Sequence, residues 1–427
     1  MRVLFLAGIN KSHLYAMTPL AWALQIAGHQ VRVASQPDLA DDVARTGFTP
    51  APVGRELRMA EKLGPAAPTS AADRSGGWVK PVDGSFPEDP HGHLESIVSG
   101  FFPMVCPEPM FDDLIAYAQD WKPDLIIWNT LALAGGVAAR ISGAAHARLL
   151  FGADGLGQIR SAFHARRAGL PVDELPEDPL AGWLGPILRR HGHDFDEEVA
   201  LGQWTIDPMP SWVFHPRTNA HYVPLRHVPY NGPARIPDWM REPPSRPRVC
   251  LTLGVSHRES HGVEASPADL MEAVADLDAE IVATLDSRQT ATLDHVPDNV
   301  RVVDFVPMNA LLPSCAAIVH HGGTQTFAAA LENAVPQLLV PSAYWTEKWW
   351  GPVAEGNGLE RRGAGIYVAD SDWFAPEMLR EALTRVLKDP SFKENAVRLR
   401  AERQAVPTAN ELVPTLERLT AAHQARR

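Results

Sequence analysis

The sequence predicts an α/β protein built from two Rossmann-like domains that face each other across a cleft. Three features carry this reading: a β-α-β pattern at the start of the chain, a second one starting near Arg248, and a turn-rich linker between them. At 427 residues the chain is long for one hydrophobic core, and two domains are the natural arrangement.

The apolar run from Val3 to Ala7 reads as a buried strand. A polar loop from Gly8 to Ser12 leads to His13, and it lacks the G-x-G-x-x-G fingerprint of dinucleotide sites. From Thr18 to Gly28, the residues Leu20, Ala23, Leu24 and Ala27 share one helical face, and Gly28 stops the helix. Gln30 to Ala34 reads as a second strand, parallel to the first. Between 54 and 107, Pro, Gly, Ser and charges interrupt every run. That predicts long loops with one short helix, a composition suited to substrate-contacting or moving segments. Asp112 to Ala118 reads as a helix, Pro123 to Trp128 as a strand ending at Asn129, Ala132 to Ser142 as a helix, and Ala147 to Phe151 as a strand. Phe195 to Trp204 reads as a helix, and Tyr222 to Pro224 closes a first domain at about residue 225.

The linker, 226–247, holds Tyr230-Asn231-Gly232-Pro233 and a Pro-rich stretch ending at Pro247. A second domain, 248–405, repeats the plan. Its strands are expected at 248–253, 280–284, 300–304, 315–319 and 337–340, with helices near 267–276, after 326 and at 376–387. Residues 391–425 are helical and charged, and the last segment, 406–427, is placed as a helix crossing back to the first domain.

Composition excludes several classes. The net charge of −12 argues against nucleic acid or an anionic membrane as the main partner. Cys106, Cys250 and Cys315 are far apart, which suits free thiols in a reducing cytoplasm. The apolar N-terminus is too short for a signal core, and no apolar run approaches the length of a membrane span. A cytoplasmic location is expected.

The stretch Val319-His320-His321-Gly322-Gly323-Thr324-Gln325-Thr326 sits between the strand at 315–319 and a helix opening at Phe327. Glycines let backbone approach a ligand closely, and the first amides of a helix are unpaired and carry partial positive charge. The turn is therefore an anion site, most naturally for a phosphate or diphosphate. An ordinary strand-to-helix turn with one buried and one solvated histidine would use the same letters. Ligands in such folds sit at the carboxyl ends of the strands, so His13 and the His320 turn would lie on opposite sides of one cleft.

Beyond the residues themselves, the chain resembles the inverting GT-B glycosyltransferases of polyketide-antibiotic pathways, which use TDP-deoxysugars. The resemblance runs over nearly the whole length through Lys11-Ser12-His13-Leu14, Gln203-Trp204-Thr205-Ile206-Asp207-Pro208, Tyr230-Asn231-Gly232-Pro233, Cys250-Leu251-Thr252-Leu253-Gly254, Phe305-Val306-Pro307-Met308 and His320-His321-Gly322-Gly323. It is most similar to the branch acting on macrolides and anthracyclines. It implies a TDP-deoxysugar donor, aminodeoxysugars included, and a polyketide aglycone acceptor. It allows a P450-like auxiliary activator protein and a homodimer, and it implies no cofactor and no metal.

The resemblance makes His13 the general base for the acceptor hydroxyl, just before a helix N-terminus. Where the family places a carboxylate to orient that histidine, this chain has Asn129, which fixes a tautomer but cannot neutralise an imidazolium. His320 matches the family's diphosphate-contacting histidine, beside His321, Gly322 and the amides of Gly323, Thr324, Gln325 and Thr326. Gln325 stands where the family commonly has a glycine. Gly254 and Ser256 are placed near the phosphates or ribose, and Val306 is placed near thymine or in the core. The family's sugar-holding acid is missing after Pro341. Ser342 to Gly351 is rich in tryptophan instead, so Trp345 and Glu347 are the candidates there, an indole face suiting a deoxygenated or ammonium-bearing sugar. The pairs Asp276/Asp278 and Asp370/Asp372, and the His-Gly-His triplets at 91–93 and 191–193, read as surface acids and loop histidines rather than metal ligands. Rival readings are a self-resistance glucosyltransferase, a sugar-nucleotide epimerase, and a binding-only member.

Overall fold

The computed structural model describes residues 1–8, 10–58, 89–215, 218–254, 265–341, 351–371 and 373–426. Its strands form two parallel sheets. The first holds β1 (Arg2–Leu6), β2 (Gln30–Ser35), β3 (Pro50–Pro52), β4 (Leu125–Asn129), β5 (Ala145–Leu149), β6 (Trp204–Asp207) and β7 (Tyr222–Pro224), in the order β3-β2-β1-β4-β5-β6-β7. The second holds β8 (Arg248–Thr252), β9 (Glu280–Thr284), β10 (Val300–Val303), β11 (Cys315–His320), β12 (Gln337–Leu339) and β13 (Gly365–Tyr367), in the order β10-β9-β8-β11-β12-β13. Helices cover both faces of each sheet, so β4, β5 and β8 are buried at every position. Their sequences are correspondingly almost unbroken apolar runs, apart from His146, Arg148 and Arg248.

Three segments differ from the sequence reading. The first helix spans Lys11–Ile26 and runs through Pro19. Thr18-Pro19 looks like a helix start because proline suits the first helical position, but Asn10 supplies the real cap. Glu197–Leu201 is a single short helix that Gly202 ends at φ +78°, and Trp204 to Asp207 then enter the sheet as β6. A side chain at Gly202 would collide with backbone of Trp204 and Arg148, so only glycine lets the chain turn there. Residues 90–105 are helical rather than looped, while 59–88 lie outside the described residues. The helices Gly155–Ala168, Pro179–Arg190 and Pro352–Arg361 also went unread.

A buried ion pair braces the carboxyl end of the first sheet. Arg148 on β5 holds Asp154 through two hydrogen bonds, and both side chains are fully buried. Tyr222 Oη donates to Asp154 at 2.6 Å, and Asp154 caps the Gly155–Ala168 helix by accepting from Gly157 N. The loop from 150 to 154 is thereby fixed from two strands, β5 and β7. Next to it, burial pushes Asp207 up to about 7.

The crossing helix expected at the C-terminus is present. Ser391–Gln404 packs in the second half, and Ala409–Gln424, opened by a Thr408/Glu411 capping box, returns to the first. Its Leu412, Val413 and Leu416 join Phe5, Leu20 and Leu24 in one apolar cluster. Leu416 is fully buried, so Leu416→Ala is expected to cost about 2–5 kcal/mol of unfolding free energy in urea titrations. A loss below about 1 kcal/mol would show that the returning helix is not part of the first half's core.

Candidate active site

Both sheets reverse strand order at the same point, β1 next to β4 and β8 next to β11. Connections leaving adjacent strands there diverge to opposite faces and open a crevice at the carboxyl ends. In the first half this crevice lies beyond Leu6 and Asn129, and in the second beyond Thr252 and His320.

His13 stands in the first turn of the Lys11–Ile26 helix, not ahead of it. The Asn10 side chain accepts from His13 N at 3.4 Å, and Ser12 Oγ donates to Asn10 at 2.6 Å. The His13 ring is 7% exposed and stacks on Phe151, with centroids 4.2 Å apart. Burial lowers its pKa to about 4, and the Gly8 carbonyl beside the ring offsets this in part. The imidazole is therefore neutral at pH 7. Its Nδ1 is buried and makes no hydrogen bond of good geometry among the described residues. Asn129 does not orient it. The Asn129 Oδ1 accepts from Leu131 N at 3.1 Å and shapes the turn after β4. Stacking on Phe151, a residue the sequence reading missed, holds the ring instead.

In the second half His320 turns inward. It is 1% exposed, and its two ring nitrogens meet Gly322 N (3.1 Å, at Nδ1) and Gln337 Oε1 (2.9 Å, at Nε2). The Gly322 donor requires Nδ1 as acceptor, so the ring proton sits on Nε2 and is donated to Gln337. Burial lowers the pKa to about 3. The expectation that His320 contacts diphosphate is therefore corrected: both nitrogens serve the protein, and the ring carries no charge. The outward position belongs to His321, whose ring lies against Gly254 and Gly323. A side chain at Gly254, where φ is +76°, would collide with His321 Cε1. Gly322, at φ +92°, turns the chain after the two histidines towards the helix that follows.

Gly323 is the N-cap of the Thr324–Glu332 helix and offers no side-chain cap. The amides of Thr324 and Gln325 thus remain open to an anion, whereas Thr326 N, also expected to face phosphate, donates to the Gly323 carbonyl at 2.9 Å. Thr324 Oγ1 donates to Glu355 Oε1 at 3.3 Å. Glu355, in the first turn of the Pro352–Arg361 helix, is fully buried. Burial pushes its pKa well above the carboxylate range, and its Oε2 has no partner among the described residues. This acid beside the anion site was not singled out from the sequence. Gln325 is not a ligand-facing group: its Oε1 accepts from His227 Nε2 at 2.7 Å. The Val306 side chain is 1% exposed and packs with Leu311 and Leu312, so the core reading holds for it and only its backbone could meet a ligand. Ser256, Trp345 and Glu347 lie outside the described residues.

One narrow gap joins the halves, lined by Ala16 and Phe151 from the first, Thr324, Gln325 and Phe327 from the second, and His227 from the linker. The described residues able to group around a metal, His164, Asp178 and Glu197, are elsewhere, and Arg160 donates to both carboxylates there. Asp276 and Asp278 are exposed and face arginines.

A protonated Glu355 has a signed consequence. The folded state holds its proton more tightly than the unfolded chain, so its stability contribution is greatest below the ordinary value of 4.5 and falls as pH rises towards the raised folded value. Glu355→Gln, which cannot ionise, is expected to gain stability relative to wild type between pH 5 and 8 in paired urea titrations. A wild-type-minus-variant difference that does not change with pH would show Glu355 ionised.

Comparison with known proteins agrees with this geometry. The family models "Erythromycin biosynthesis protein CIII-like, N-terminal domain" and "C-terminal domain" match residues 22–254 and 268–419. The chain is 48% identical to the aclacinomycin-T 2-deoxy-L-fucose transferase of Streptomyces galilaeus, covering 99% of this chain and 97% of that one. It is 44% identical to the 10-deoxymethynolide desosaminyltransferase of Streptomyces venezuelae, covering 99% and 98%. In structure it is similar to glycosyltransferase VinC in complex with dTDP, with a TM-score of 0.85, 40% identity, and coverage of 99% and 100%. It is also similar to the spinosyn forosaminyltransferase SpnP, with a TM-score of 0.81, 38% identity, and 99% coverage of both chains. The chain belongs to the erythromycin biosynthesis protein CIII-like family, the deoxysugar glycosyltransferases of antibiotic biosynthesis with the GT-B fold.

Proposed function

We propose that this protein is an inverting glycosyltransferase that moves a deoxysugar from a TDP-sugar to a hydroxyl of a polyketide aglycone. The observation that supports the reading is a neutral His13 stacked on Phe151 in one half and an uncapped helix N-terminus beginning at Thr324 in the other, with Phe151 and Thr324 lining the same gap. The relatives' names supply the substrate classes: a 2-deoxy-L-fucose transferase, a desosaminyltransferase and a relative solved with dTDP.

In this reaction His13 accepts the proton of the acceptor hydroxyl. The acceptor oxygen forms a bond to the anomeric carbon from the face opposite the diphosphate, and the bond from that carbon to the diphosphate oxygen breaks. The charge that grows on the departing diphosphate falls on the amides of Gly323 to Gln325 and on the positive end of their helix. His321 adds a donor beside them. Glu355, reaching the same helix through Thr324, fixes the Thr324 hydroxyl at the head of the anion site. The transfer is redox-neutral and needs no redox cofactor, and the helix N-terminus does the work a divalent ion does elsewhere. A P450-like auxiliary protein and a homodimer belong to this reading as partners to be tested by copurification and sedimentation.

Calorimetry with TDP in EDTA tests the donor side. TDP is expected to bind better than UDP or NAD, and His321→Ala is expected to weaken it by about 10- to 100-fold. Binding that is indifferent to His321 would overturn the donor assignment. On the acceptor side, His13→Ala is expected to lower kcat by about 10²- to 10⁴-fold. Because His13 titrates at about 4, the acid limb of the pH–rate profile is expected near pH 4, with activity lost below it as the base protonates. A limb near the ordinary value of 6.5 would place His13 in water. Product analysis separates the rivals: a free epimerised sugar nucleotide, a glucosylated finished antibiotic, or tight TDP binding without turnover.

A further inference from the structure

Gln325 is the second residue of the helix whose first turn forms the anion site, yet its side chain leaves that site. It reaches His227, which is 4% exposed and lies just past β7 in the segment joining the two halves. The His227 carbonyl accepts from Arg403 Nη2 at 2.7 Å, and Arg403 pairs at 3.4 Å with Glu332, the last residue of the same helix. Both ends of the helix are therefore tied through one buried histidine and one nearly buried arginine. Arg226, the neighbour of His227, donates its backbone N–H to Pro407, just before the helix that returns to the first half. The same two residues, Gln325 and His227, line the gap whose opposite wall is Phe151, the ring stacked on His13.

We infer that Gln325 is a positioning residue: through His227 it registers the diphosphate-binding helix against the half that carries His13. This rests on the transferase reading above. Donor binding is made within the second half and does not need the latch. In-line attack needs the acceptor hydroxyl, His13 and the anomeric carbon aligned across the gap, so the latch acts on the chemical step. Misplacement of reacting groups by a fraction of their contact distance lowers the rate while leaving ground-state binding intact.

A double-mutant cycle on the full chain tests this, with Gln325→Ala, His227→Asn and the pair, each assayed for TDP binding by calorimetry and for kcat. Gln325→Ala is expected to lower kcat by about tenfold with TDP affinity within about twofold. His227→Asn is expected to do the same, and the double variant to be no worse than the worse single one. Gln325→Glu, which keeps an acceptor for His227, is expected to retain most of kcat, and it stands in for the alanine variant should that one not fold. Losses that multiply in the double variant, TDP affinity falling in step with kcat, or kcat unchanged in both single variants would each overturn the inference. Wild-type turnover in the same assay separates failure of this inference from failure of the transferase reading.

Discussion

The hydrogen bond from Gly322 N–H to His320 Nδ1 is the contact on which the donor side depends. It joins the end of a strand to the first residue of the turn, and it dictates the tautomer that lets Nε2 donate to Gln337 on β12. With the ring clamped on both sides, the chain can reverse only through a positive φ at Gly322. His321, the residue between His320 and Gly322, lies against Gly254 instead, and Gly323 then caps the helix that starts at Thr324. A buried histidine thus fixes the turn on which its half-buried neighbour stands.

The same turn is coupled to the rest of the molecule by several buried polar contacts as well as by the apolar packing of Phe327 and Leu331. The Thr324 hydroxyl engages Glu355, Gln325 engages His227, and Glu332 engages Arg403. On the other side, the loop carrying Phe151 is held by the Arg148–Asp154–Tyr222 network. Polar contacts of this kind demand specific geometry and lose much of their value when misaligned, because an unpaired buried polar group costs more than a made hydrogen bond returns. The two walls of the gap are therefore fixed in orientation.

The sequence shows the architecture well because parallel strands covered on both faces are written as apolar runs, and β4 and β8 stand out from their surroundings. It shows the anion turn because a sharp strand-to-helix reversal demands glycines. It does not show which of two adjacent histidines faces in, since that depends on the register of β11 against β8 and β12. The sequence pattern starts the first helix at Thr18, about two turns late, and so leaves His13 ahead of it, because Pro19 looks like a helix start while Asn10 does the capping. Glu355 was hidden by Gly356 and Gly358, poor helix formers that are needed because Tyr367 and Trp212 pack directly on them. The link from Gln325 to His227 spans 98 positions, and no local pattern reports a contact that long.

A chain of net charge −12 built to hold a diphosphate is a paradox only if anions are assumed to need cations. His13 and His320 are neutral through burial, Glu355 keeps its proton for the same reason, and Arg403, the cation on the wall of the gap, is engaged by Glu332 and the His227 carbonyl. Among the described residues, what remains to meet the ligand is a set of fixed dipoles: open amides, a helix N-terminus and neutral donors. Such groups bind less strongly than a lysine in the ground state, but they are already oriented and need no rearrangement as charge moves from the sugar bond onto the departing phosphate. On the proposed reading, a neutral base in one half and oriented dipoles in the other suit a reaction in which the acceptor oxygen loses its proton on one side of the anomeric carbon while the diphosphate carries negative charge away on the other.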